Sequence, residues 1–161
     1  MTISVEALAA AADTLRSWAL DENLKQMVMA DPDLAVVAGR IARRYTAGPG
    51  VDDALRLLEG NSARGHRGSI ECVGESVRDA GVARRETDAI TDLARQIAAA
   101  SGMATISFDL SHVGSVVSPR LGRENALRIA QAARDAGTYV MISAEGSDRT
   151  DIVLEIWEQI S

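Results

Sequence analysis

Aromatic residues are scarce in this chain: two Trp, two Tyr and one Phe make up 3% of it. A core of that composition is built from Ala, Val, Ile and Leu on closely packed helices. The single cysteine, Cys72, excludes an internal disulfide and a thiolate-rich metal site. One lysine, Lys25, stands against sixteen arginines, a codon-bias habit without mechanistic content. No apolar run approaches the roughly 20 residues of a spanning helix, and the start, Met1 to Val5, lacks the basic opening and apolar core of a secretion signal. The chain therefore reads as soluble and cytoplasmic, with no membrane partner. A net charge of −6 and a pI near 4.9, with arginines interleaved among acids, argue against a nucleic-acid partner. Neither a Gly-rich phosphate loop nor a Ser-His-Asp arrangement is visible.

What remains is ordinary globular material: 161 residues, 47% hydrophobic and 25% charged, enough for one structural domain. Residues 1–62 read as a helical segment. Thr2 or Ser4 caps a helix through about Leu20, with Trp18 on its apolar side. Asp31-Pro32-Asp33 is a second start, running to about Thr46. After Gly48-Pro49-Gly50, Val51, Ala54, Leu55 and Leu58 carry the spacing of one more amphipathic helix, and a polar loop with His66 follows.

From residue 63 to 161 the pattern becomes α/β. Short β-branched runs at about 69–73, 104–110 and 138–143 alternate with helical stretches at about 84–101, 122–136 and 149–160. Ile90, Leu93, Ala94 and Ile97 mark one helix face, and Ile152, Ile156 and Ile160 another. Gly102 and Gly137 close two of the helices, and Asp148 or Thr150 caps the last. Such alternation predicts three βα units on a parallel sheet, whose ligands gather at the C-terminal ends of the strands. An acidic residue stands at each of those ends: Glu75, Asp109 and Glu145.

A carboxylate among apolar neighbours, as Asp109 is between Phe108 and Leu110, is costly unless it binds a ligand or pairs with an arginine. Glu75 either orients a ligand or caps its turn. His112, on the long loop 111–119, is of a residue type that suits a general base or a metal ligand, although a lone loop histidine is more often solvated. With the three acids it suggests a divalent-cation set, against which a carboxylate cluster paired by arginines weighs more; no metal is assigned. His66 between Arg64 and Arg67 reads as surface, and Cys72 as a small buried hydrophobe.

Gly74-Glu75 after the first strand, Ser107-Phe108-Asp109-Leu110-Ser111 at the second and Ile142-Ser143-Ala144-Glu145 at the third resemble, in that order, motifs of the proline dehydrogenase family. Those motifs are a Gly-Glu pair, Ser-Val-Lys-Leu-Ser and Ile-Asp-x-Glu, so Asp109 replaces a lysine and Ser143 an aspartate. The resemblance implies part of a (βα)8 barrel that binds FAD and oxidises proline. It places Asp109 and Glu145 as catalytic candidates, to which the loop reading adds His112, and Glu75 and Ser143 on the cofactor side. Three strands cannot close a barrel that needs eight, and an open sheet leaves apolar edges and one face exposed. The expected partner is a second chain or further copies of this one completing the barrel around an amino-acid-like substrate, with FAD bound only then and none by the chain alone. The alternative is a non-catalytic relative serving as a structural or regulatory subunit.

Overall fold

Seven helices and three strands account for most of the residues described by this computed structural model, which covers 4–19, 21–100, 104–143, 146 and 149–160. Contacts divide the chain after Gly48 into two units. In the first, helices α1 (Val5–Ala19), α2 (Glu22–Ala30) and α3 (Pro32–Ala42) follow one another. The sequence reading missed α2. Its start is local chemistry: the Asp21 carboxylate accepts from the N–H groups of Asn23 and Leu24 at 2.9 and 3.1 Å. Asp31 repeats the device for α3, with Pro32 at the first helical position as expected. Among the described residues of this unit none is buried, and Trp18, expected on an apolar side, is exposed.

The second unit begins with α4 (Val51–Ser62), whose Leu58 is buried. There follow β1 (Gly68–Glu71), α5 (Ala80–Ala99), β2 (Ala104–Phe108), α6 (Pro119–Asp135), β3 (Val140–Ile142) and α7 (Thr150–Ile160). The strands pair in parallel in the order β1-β2-β3, with Ile70 opposite Ile106 and Ile106 opposite Val140. The three expected βα units are therefore present. Helix boundaries moved where caps were overlooked: α5 starts at Ala80 because the Asp79 side chain accepts from Val82 N–H, and α6 starts at Pro119 under a Ser118 cap. Gly102 and Asp148, read as a helix stop and a cap, lie outside the described residues.

Strand residues alternate between two faces, and burial shows which face is covered. Ile70, Ala104, Ile106, Phe108, Val140 and Ile142 join Ile90, Leu93, Ala94, Ile97, Ala126, Ile129, Ala133 and Ile156 of the helices in one core. At about 25 cal/mol per Å2 of apolar surface removed from water, this is what holds the unit together. The opposite face bears Ser69, Glu71, Thr105 and Ser107, with Met141 and Tyr139. The expectation of an exposed apolar face is corrected here: the free face is largely polar, because the apolar alternation points to the helices. No helix among the described residues is long and apolar enough to cross a membrane.

Candidate functional site

Helices on one face, a polar second face and parallel strands direct attention to the C-terminal strand ends, where the loops after β1 and β2 meet. The second loop begins with a turn built by Asp109, whose Oδ1 accepts from Ser111 N–H at 2.7 Å while its carbonyl accepts from His112 N–H at 3.1 Å. A short acid that bonds the amide two residues on is a turn-former by nature. Asp109 is half-buried, and among the described residues no arginine pairs with it. The ion pair weighed from sequence is absent there.

The turn aims Ser111 at the first loop. Its hydroxyl accepts from Ser76 N–H at 2.8 Å and its carbonyl from Val77 N–H at 3.0 Å, tying residues 72–79 across the sheet end. His112 goes the other way, into the protein. Its side chain is 4% exposed, and Nε2 lies 3.1 Å from Glu86 Oε2 on α5. Gly74 covers the ring so closely that a Cβ there would lie 2.2 Å from Nε2. The glycine of the Gly-Glu pair thus has a steric reason: any side chain would collide with the imidazole. Glu75, next to it, is exposed and makes no hydrogen bond among the described residues.

At the third strand, Ser143 N–H bonds the Phe108 carbonyl at 3.0 Å and its hydroxyl lies 3.2 Å from that of Ser107. Glu145 lies outside the described residues. The structure brings Asp109, His112 and the Glu75 loop together through Ser111, and Ser143 together with Ser107. It links neither Glu75 nor Ser143 to Asp109 by a hydrogen bond. Among the described residues no cluster of three or more His, Cys, Asp or Glu side chains could hold a metal ion.

Cys72 is the first residue of the loop after β1. Burial pushes its thiol above the ordinary value of 9.0, and the nearby Glu86 and Glu71 carboxylates push it further. A thiol held neutral is a poor nucleophile. Sequence reasoning missed Ser76, Glu86 and the double role of Ser111. Glu86 is 26 residues from His112, and no local spacing announces such a pair.

Three comparisons bear on this arrangement. No family model matches the chain. The proline dehydrogenase of Deinococcus radiodurans is 26% identical over 118 residues, 71% of this chain and 38% of that protein. Two mutant structures of Bradyrhizobium japonicum Proline Utilization A superpose with TM-scores of 0.55 and 0.54 at 24% and 25% identity, over 70% of this chain and 13% of theirs. The chain thus spans well under half the length of the proteins it matches.

Proposed function

We propose that this chain, proline-dehydrogenase-like in sequence and fold, supplies three βα units of a flavin-dependent oxidoreductase acting on proline or a related amino or imino acid. A second chain, or further copies of this one, completes the wall. The observation that carries the reading is the free face of the sheet. A sheet meant to be capped by a hydrophobic layer would alternate apolar residues onto both faces; here β1 and β2 turn Ser69, Glu71, Thr105 and Ser107 away from the core, and β3 adds Met141. That is the composition of a wall facing a ligand cavity.

The chain's own strand ends do not fit the flavin ring. They set the carboxylates of Glu75 and Asp109 beside the Ser107 and Ser143 hydroxyls, and although a hydroxyl can donate, the two carboxylates oppose the negative charge that develops on a reduced ring. In this reading FAD is held by the completing chain. This chain's residues shape the wall: Ser111 fixes the two loops, and Asp109 fixes Ser111. An amine cation of the substrate would find the free oxygen of Asp109 and the Glu75 carboxylate attractive.

The test is co-expression with a polypeptide carrying the remaining barrel strands, taken first from a neighbouring reading frame. The expected result is a stable complex that keeps the visible flavin band after dialysis and passes electrons from proline to a dye, while this chain alone keeps no flavin. Flavin retained by the chain alone would overturn the assignment of the cofactor to the partner. A complex without flavin or activity would support the second reading, a non-catalytic subunit. That reading is favoured by one observation: Asp109, His112 and Ser143 each spend a polar atom inside the chain.

A further inference from the structure

We infer that residues 72–79 form a strap closed over His112, held shut by a few directed contacts against built-in strain, and that it opens as a unit while the sheet beneath stays paired. The inference is independent of what the assembled protein does. The strap leaves the ladder after Glu71 and ends where α5 begins at Ala80. What closes it is short to state: the Ser76 N–H donating to the Ser111 hydroxyl, the Val77 N–H donating to the Ser111 carbonyl, and the backbone of Gly74 laid on an imidazole anchored to Glu86.

Two features oppose closure. Ser76 has φ +53, the left-handed conformation that a residue with a Cβ adopts at a cost. Nδ1 of His112 is buried and has no hydrogen-bond partner among the described residues, a cost that the closed arrangement carries. Apolar burial on the closed side comes from Cys72, packed against the core, and little else, since Val73 is 83% exposed and Glu75, Arg78 and Asp79 face solvent. Segments with few buried contacts and strained backbone open locally at low free energy. Opening uncovers the side chain that closure protects, His112, 4% exposed beneath Gly74.

Amide hydrogen exchange by NMR on the full chain tests this. The Val77 amide, bonded to Ser111, should exchange at least about tenfold faster than the Ile106 amide, which is bonded to Tyr139 in the ladder. Ser76→Gly removes the left-handed cost and should slow Val77 exchange by about threefold or more, net of the glycine's own chain entropy. His112→Ala takes away the surface under Gly74 and should speed it by about tenfold or more while leaving Ile106 unchanged. Val77 exchanging in step with Ile106, or Ser76→Gly failing to slow it, overturns the strap. Should His112→Ala not fold, the wild-type comparison and Ser76→Gly decide between these outcomes.

Discussion

A half-buried carboxylate can be a ligand group, half of an ion pair or a turn-former, and at Asp109 the geometry separates the three. Asn can accept the Ser111 N–H bond as Asp does, and no arginine is left unpaired by the change. Asp109→Asn should therefore alter unfolding stability by less than about 1 kcal/mol, not the roughly 3 kcal/mol of a broken buried pair, as read from urea midpoints. Gly74 and His112 test each other in the same way. Gly74→Ala forces a methyl into the ring and should cost roughly 1–3 kcal/mol. In a His112→Ala background most of that loss should vanish, and a double-mutant cycle with no coupling would refute the contact. Cys72 adds a pH dependence. Its folded value lies above its unfolded one, so the stability it lends is complete below pH 9.0 and is lost as pH rises through the folded value. Urea midpoints across that range should fall in wild type and fall less in Cys72→Ala.

Among the elements, α6 shows how a short polar signal places a long helix. Ser118 accepts from Leu121 N–H at 3.2 Å, Pro119 starts the helix without wasting a donor, and Leu121, Ala126, Ile129 and Ala133 follow on the buried face. Ser118→Ala should lower stability by about 1 kcal/mol, measured by thermal unfolding. The same helix is pinned to the loop before it at Gly122, where a Cβ would meet Ser115 Cα at 2.8 Å. The 109–118 loop is thus clamped by α6 behind and by Ser111 in front, which is why the Asp109 turn is a fixed feature of the strand ends.

For the molecule as a whole, two kinds of surface call for cover. Among the described residues strands β1 and β3 end the sheet with unpaired edges, and helices of residues 4–48 leave Val5, Trp18, Met27, Val36 and Ile41 exposed. The reading of a barrel completed by other chains predicts a species larger than the 17.1 kDa monomer in light scattering after size exclusion. A folded monomer at micromolar concentration would count against it. The first unit, which buries none of its described residues, should also exchange its amides far faster than β2, the most buried strand.

The three βα units, the parallel sheet, the helix faces of α5 and α7 and most of the leading helices were readable in the chain, because period, caps and Gly or Pro punctuation are local properties of a polypeptide. Asp31-Pro32 announced α3; Asp21, without a proline or glycine beside it, did not announce α2. The acids at the strand ends were readable too, but their partners were not. Whether Asp109 meets an arginine or its own turn, whether His112 faces water or Glu86, and why position 74 is glycine depend on residues that approach only when two loops fold across the sheet. The polar free face stands between these cases. Its residues alternate in plain view along each strand, yet only the packing of α5 and α6 on the same side decided which alternate set became the core and which was left on the opposite face.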